Sequence, residues 1–349
     1  MIAPPATVKL VVWDLDNTLW DGTLLEGDRV ALRPGVRDIL ATLDQHGILH
    51  SVASRSDYEL AWRKLAELGL ADYFLYPQIN WNSKSGNIKT IIDSINISAD
   101  TVVFIDDDPF EREEVRRALP QLSIIDAAAI DGLTDLPGFT PAVITEDAAR
   151  RRQMYQADRV RKEAEESFVG AQEDFLASLA MKLAIAPARD GDLRRVEELV
   201  TRTNQLNTTG YTYSYDELNG FRQSADHVLL IASLEDTFGT YGKIGMALID
   251  KSPGAWTIKL LIMSCRVMSR GVGTIFLNHI IDRSRRAGVS LRAEFRSTGR
   301  NRMMLVTYKF GGFREVARSG DLVIFEHDGA HFQRPPAYVD VRAGDESET

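Results

Sequence analysis

The chain of 349 residues contains one cysteine, so no disulfide can close within it. It also lacks any stretch approaching the roughly 18 to 20 uninterrupted apolar residues that a membrane-spanning helix requires. Its first residues, MIAPPATVKLVVWDLDNTLW, show no basic segment leading into a long apolar run and a small-residue cleavage site, which points to a cytoplasmic protein. Positive charge is in deficit. Lys and Arg number 41 against 50 Asp and Glu, a net charge of −9, so the molecule as a whole favours neither nucleic acid nor an anionic membrane. What is present is ordinary for a folded protein. The composition is 44% hydrophobic, 26% charged and 8% aromatic, which excludes a disordered, collagenous or coiled-coil chain. The length suits about two domains.

The run VKLVVW at 8–13 is rich in β-branched residues and ends in acidic and polar ones, the pattern of a buried strand. The following residues alternate helical and strand-like patterns: helices over 36–47, 56–68, 84–94 and 110–118, strands over 48–53, 101–105 and 123–125. Such alternation predicts a Rossmann-like, doubly wound parallel sheet, with ligands beyond the carboxyl ends of its strands. The loops at 14–20, 54–57, 80–84 and 106–109 therefore converge. From 145 to 166 the chain is dense in Arg, Glu and Asp, which predicts a long, exposed helix between two domains. Strands expected at 182–186, 228–234, 243–250, 256–263, 291–295 and 321–326, with fewer helices between them, predict an α+β second domain. The expected boundaries are 1–140, a helical linker over 141–180, a second domain over 181–330 and a flexible tail over 331–349.

Asp14 and Asp16 stand one residue apart where the first strand ends, and Asp106-Asp107-Asp108 ends another strand of the same sheet. Helix capping accounts for Asp108 before Pro109. It does not account for acidic clusters at two neighbouring strand ends, because buried like charges need a compensating cation. Mg²⁺, a hard cation that takes a few carboxylates together with a phosphate, suits them.

The DxDxT pattern with a downstream strand ending in Asp-Asp resembles the haloacid dehalogenase (HAD) superfamily of phosphotransferases. Asp-Asn-Thr-Leu-Trp at 16–20, Asn80-Trp81 ahead of Lys84, and the run from Ile105 to Arg116 resemble its FkbH-like subfamily. The resemblance implies Asp14 as nucleophile, Asp16 as general acid and base, Ser54 as a donor to a phosphoryl oxygen and Lys84 as partner of the phosphorylated aspartate. It places Mg²⁺ among Asp14, Asp16, Asp106 and Asp107, with Asn17, Thr18 and Arg55 beside the substrate. The family usually has Cys or Ser followed by Ser-Lys-Asn-Asp where this chain reads Ala53-Ser54-Arg55-Ser56-Asp57. The stretch after Trp20 leaves no room for a large cap, so a bulky or protein-borne substrate can enter.

In the second domain, Thr203-Asn204-Gln205-Leu206-Asn207 and Ser264-Cys265-Arg266-Val267-Met268-Ser269-Arg270-Gly271-Val272-Gly273 resemble the carboxyl-terminal half of FkbH-like proteins, within a GNAT-like acyltransferase fold. A glycine-containing loop entering a helix presents free N–H groups to an anion. Arg270, Gly271, Val272 and Gly273 are thus candidates for holding a phosphopantetheine arm. Acetyl-CoA-using relatives usually carry Gln or Arg where this chain has Met268. Asn204, Asn207 and Arg266 are candidate substrate contacts, the alternative for the amide-rich stretch being turn chemistry. Cys265 is either an acyl-accepting thiol or a small packing residue. The sequence places no histidine beside it; His227 and His279 are the candidates, and His279 reads more readily as packing on its helix.

The family resemblance implies an enzyme that removes phosphate from 1,3-bisphosphoglycerate, a phosphorylated three-carbon acid, and loads the glyceryl unit onto an acyl carrier protein in polyketide-type biosynthesis. Two readings compete with it: a HAD-type small-molecule phosphatase whose second domain only binds, and a carrier-docking protein without chemistry. Arg292, Arg296, Arg300 and Arg302 form the candidate face for an acidic carrier.

Overall fold

Apolar β-branched runs that stop at charged residues build the first sheet. A computed structural model describes residues 7–27, 29–141, 144–203 and 205–344; the candidate Asn204 lies outside them. The chain divides into two units, 1–156 and 157–349.

In unit 1, β1 (Leu10–Trp13), the short β2 (Trp20–Asp21) and β3 (Ala31–Leu32), and α1 (Val36–Gln45) come first. Then follow β4 (Leu49–Ser54), α2 (Tyr58–Glu67), β5 (Gln78–Ile79), α3 (Lys84–Ile95), β6 (Val102–Asp106), α4 (Pro109–Ala118) and β7 (Ser123–Asp126). The main sheet runs in the order β5-β4-β1-β6-β7, and its pairings are all parallel. With β1 central, alternate side chains enter cores on opposite faces: Val11 and Trp13 on one, Leu10 and Val12 on the other. This is the expected doubly wound α/β fold. Both carboxylate clusters follow central strands and so share one edge.

His50 pins this core. Its Nδ1 accepts from Trp13 Nε1 at 3.1 Å and its Nε2–H donates to the Leu40 carbonyl at 3.2 Å. Burial lowers its pKa to about 3, so the ring stays neutral.

The helices α5 (Glu146–Ala149) and α6 (Arg151–Ser167) replace the single exposed helix expected from sequence. Two arginines at the start of α6 are used in packing. Arg151 Nη1 donates to the Gly47 carbonyl at 2.7 Å, and Gly47 needs its lack of a side chain, since a Cβ there would come within 2.4 Å of that guanidinium. Arg152 takes Asp44 in a two-point ion pair at 2.9 and 3.1 Å. The division between the units falls inside α6, after Gln156.

Unit 2 continues with α7 (Gln172–Ser178), β8 (Met181–Pro187), α8 (Leu193–Arg202), α9 (Tyr215–Gln223), β9 (His227–Asp236), β10 (Gly239–Asp250) and β11 (Ala255–Met263). It ends with α10 (Val272–Arg286), β12 (Ser290–Arg296), α11 (Arg302–Phe310), β13 (Phe313–Ser319), β14 (Leu322–His327) and β15 (Val339–Ala343). One mixed sheet has the order β13-β14-β12-β11-β10-β9-β8-β15, the α+β class expected. The tail is a correction: Val339 to Ala343 pair parallel with β8, because that strand would otherwise leave an unpaired edge. Strand β13 was also absent from the sequence reading; its burial pattern shows one buried residue in seven, so it has no apolar alternation to betray it.

In unit 2 the guanidinium of Arg161 is fully buried. It grips Asp236 at 2.8 and 2.9 Å, bonds Asp158 at 2.6 Å and lies 3.8 Å from the Tyr241 ring centre.

Strands β11 and β12 pair in parallel only over Ala255–Ile258 and Ser290–Ala293. Beyond that they part, and residues 206–208 fill the gap. Met263 N–H donates to the Leu206 carbonyl at 3.0 Å, Thr208 N–H to the Leu261 carbonyl at 3.1 Å, and Arg296 N–H to the Thr208 carbonyl at 3.0 Å.

Candidate active site

The unit 1 site is assembled from strand ends and helix starts. Asp14 follows β1, with its N–H bonded to the Ile105 carbonyl of the neighbouring β6 at 2.9 Å. Asp106 ends β6, and Asp107 follows. Lys84 opens α3, whose N-cap Ser83 accepts from Gly86 N–H at 3.3 Å. Its Nζ lies 2.7 Å from Asp14 Oδ1 and also bonds Asp106. All three of these side chains are buried.

Burial is the largest influence on each carboxylate. It raises the pKa of Asp14, which Lys84 partly offsets. It pushes Asp106 up to about 7, with the Asp14 charge adding to the effect, and it raises Asp107 as well. Burial opposes the Lys84 ammonium too, but Asp14 and Asp106 outweigh it and hold its pKa above the usual lysine value.

Asp14, Asp106 and Asp107 each bring one ligand oxygen within 4.8 Å of the others. Three carboxylates raised by desolvation, with one lysine between two of them, fit a divalent cation. Asp16 stands apart from this trio. Its Oδ1 accepts from Trp20 Nε1 at 2.7 Å and from Leu24 N–H at 3.2 Å, so the side chain expected among the metal ligands is engaged elsewhere.

The other unit 1 candidates divide. Ser54, buried at the end of β4, bonds the Asp14 carboxylate. Thr18 accepts from Asp107 N–H at 3.1 Å and reaches Asp107 Oδ1 at 3.3 Å, which ties the two acidic strand ends together. Asn17 holds the turn: its φ is 53° and its side chain accepts from Gly22 N–H at 3.0 Å. Arg55 reaches Glu111 at 2.9 Å.

Two glutamates of α4 escaped the sequence reading. Glu111 bonds Arg55, and Glu114 accepts from both the N–H and the hydroxyl of Ser85, at 3.1 and 2.5 Å. Their three-residue spacing in Phe110-Glu111-Arg112-Glu113-Glu114 puts both on one helix face, a signal present in the sequence but shared with any charged helix.

In unit 2 a pocket of about 100 Å³ lies beside the end of β11. Met263, Met268, Met303 and Met304 line it, with Leu206 and Ser264. Gly271 and Gly273 border it, and Gly271 caps α10 at a φ of 72°. Val272 is buried in the core.

Several expected contacts point elsewhere. Arg270 is buried, with Nη1 3.0 Å from Glu165 and its guanidinium over Phe175. Arg266 donates to the Tyr241 carbonyl at 2.8 Å. Asn207 spends its amide on its own loop, accepting from Thr209 and Gly210 N–H and donating to the Tyr211 carbonyl. Cys265 packs partly buried against the apolar core; the pocket wall has Ser264 at that point. His227 bonds Ser224, and burial lowers the His279 pKa to about 4. Asn301, which the sequence reading left without a role, is buried and donates to the Asn207 and Arg296 carbonyls at 2.9 Å each, locking the inserted segment.

No protein-family model and no curated protein matches the chain. Solved structures do resemble parts of it. The N-terminal part of BF1531 from Bacteroides fragilis, described as containing a phosphatase domain complexed with Mg, is 26% identical over 43% of this chain, with a TM-score of 0.30. This chain spans 39% of that structure. The ribosomal-protein-S18-alanine N-acetyltransferase from Escherichia coli is 16% identical over 44% of this chain and 97% of its own, with a TM-score of 0.34. PaiA N-acetyltransferase from Thermoplasma acidophilum, in complex with coenzyme A, is 16% identical over 42% and 98%, with a TM-score of 0.35. Among the described residues no helix is long and apolar enough to cross a membrane.

Proposed function

We propose that this protein is a Mg²⁺-dependent glyceryl transferase and phosphatase, which dephosphorylates 1,3-bisphosphoglycerate and loads the glyceryl unit onto an acyl carrier protein. The observation that carries the phosphoryl-transfer part is the trio of buried Asp14 and Asp106 with the more exposed Asp107, Lys84 being bonded to the two buried members. The family resemblance of the surrounding motifs supplies the substrate and the carrier.

Asp14 attacks the phosphorus of the carbon-3 phosphate ester, a P–O bond forms to its carboxylate and the bond to the leaving carbon-3 oxygen breaks, so that the acyl phosphate at carbon 1 is kept for acyl transfer. Asp16, once it leaves Trp20 and Leu24, delivers a proton to that oxygen and then takes one from the water that hydrolyses the aspartyl phosphate. Lys84 and Ser54 hold the nucleophile's carboxylate in place. Mg²⁺, held by Asp14, Asp106 and Asp107, would supply charge neutralisation at the phosphoryl oxygens. In acyl transfer the carrier's pantetheine thiolate attacks the acyl carbon, a C–S bond forms and phosphate leaves. The methionine-lined pocket and the α10 N-terminus suit the pantetheine arm, being apolar and adaptable along one wall and rich in N–H groups at one end.

The test is mass spectrometry of a carrier protein incubated with the enzyme, Mg²⁺ and 1,3-bisphosphoglycerate. A carrier heavier by one glyceryl unit is the expected result. Phosphate release with an unchanged carrier would reduce the protein to a phosphatase with a binding domain, and neither outcome would leave a non-catalytic docking protein.

A further inference from the structure

The charge at the unit 1 site leaves a doubly charged substrate short of partners. Lys84 is taken by Asp14 and Asp106, and three carboxylates would share one divalent cation. Arg55 is the next positive group in the chain after Ser54. Its side chain is 39% exposed, yet it is fixed at two points: Nη1 lies 2.9 Å from Glu111, and Nε donates to the Asn82 carbonyl at 3.4 Å. Glu111 is itself buried, with its side chain 9% exposed, and its second oxygen, Oε2, has no hydrogen-bond partner among the described residues. A buried glutamate with one idle oxygen is a costly way to steady a surface arginine unless the arginine's position matters. Among the described residues Nη2 of Arg55 also has no partner, which leaves one edge of the fork available for an anion.

We infer that Arg55, held by Glu111 and the Asn82 carbonyl, is the subsite for a second anionic group, so that the Asp14 site selects phosphorylated acids over simple phosphate monoesters. This rests on the reading of that site as a phosphoryl-transfer centre. Arg55 is then a specificity residue that touches substrate, and Glu111 is a positioning residue that acts through it.

Binding is measured by calorimetry with Mg²⁺ in the Asp14→Asn variant of the full chain, which prevents turnover. The probes are ethyl phosphate with one anionic group, phosphoglycolate with a carboxylate as the second, and ethylene glycol bisphosphate with a phosphate as the second. At least one doubly anionic probe is expected to bind about 10-fold or more tighter than ethyl phosphate; the tighter of the two identifies the second group. Adding Arg55→Gln should erase that advantage, Arg55→Lys should restore part of it, and Glu111→Gln should fall between. Equal binding of the three probes, no binding of either doubly anionic one, or an advantage that survives Arg55→Gln would overturn the inference. The phosphoryl-transfer reading fails separately, if the wild-type chain with Mg²⁺ releases no phosphate from any of the three.

Discussion

Unit 1 buries Asp14 and Asp106 at the ends of β1 and β6 with Lys84, from the start of α3, between them, whereas unit 2 walls its pocket with Met, Leu, Val and Gly and turns Arg266 and Arg270 away from it. Buried charge is present in both units, but its state of satisfaction differs. Arg161 has Asp236, Asp158 and the Gly239 carbonyl around it, a closed network that holds α6 to the β9–β10 hairpin. The unit 1 carboxylates outnumber their lysine, and burial raises the pKa of each. The contrast teaches how to separate a structural ion pair from a reactive one: a closed network is complete as it stands, and an acid cluster with raised pKa values awaits a cation.

The largest expected effect breaks the unit 1 side of this contrast. Asp14→Asn removes the proposed nucleophile and should lower phosphate release by at least about 10²- to 10⁴-fold, read as phosphate produced per folded molecule. It also removes one of the mutually repelling buried charges, so the metal-free variant should melt no lower than the parent. Full phosphate release in that variant would exclude the aspartyl-phosphate route, and chelating Mg²⁺ should be as damaging as the substitution.

Next comes the closed network. Arg161→Met strands the buried Asp236 carboxylate and should cost about 3 to 5 kcal/mol, measured by urea unfolding. Adding Asp236→Leu should recover much of that loss, because an apolar pair of similar volume needs no compensation. If the single variant is as stable as the parent, the network is not what holds this part of unit 2.

His50 sharpens the contrast from within unit 1, because it is a buried titratable group that is fully satisfied when neutral. Its folded pKa of about 3 lies below the ordinary 6.5. As pH falls below 6.5 the unfolded chain takes up a proton that the folded chain refuses, so stability declines from 6.5 toward 3, by at most about 1.4 kcal/mol per pH unit. His50→Gln should flatten that part of the stability profile; an unchanged slope would mean that other groups set the acid limit.

Much of unit 1 was legible because each step had a local signal. The β-branched run ending in Asp14, the capped start of α3 at Lys84 and the Asp106-Asp107 strand end are all short-range patterns, and parallel packing does the rest by bringing strand ends to one edge. Unit 2 was legible in its elements but less so in its contacts. Nothing local says that residues 206–208 would enter the gap between β11 and β12, since that depends on where two strands part, nor that Arg270 would meet Glu165 from a helix 105 residues earlier in sequence. Asn207 looked like a ligand contact for the same reason that it makes a good turn: its amide serves either role. The strand at Val339–Ala343 was hidden because the sheet edge that recruits it lies more than 150 residues away, at β8.

The smallest effect concerns Cys265, where the two units differ in what a nucleophile would need. Asp14 is surrounded by groups that bond or charge its carboxylate. Cys265 begins a turn after β11, partly buried against the apolar core of unit 2, while Ser264 takes its place on the pocket wall. A thiol in that setting packs as a small apolar group. Cys265→Ser exchanges it for a hydroxyl and should cost about 1 kcal/mol, visible as a modest fall in melting temperature. Turnover per folded molecule should be unchanged, and no acyl adduct should accumulate on the enzyme when the carrier is withheld. Loss of carrier loading with phosphate release intact would reverse the assignment: the thiol would then have to reach the pocket by a movement of the 265–270 turn, and unit 2 would hold a covalent centre of its own. Normal loading by the serine variant leaves the carrier's own thiol as the acyl acceptor, and with it a division of labour in which charge chemistry belongs to unit 1 and shape recognition to unit 2.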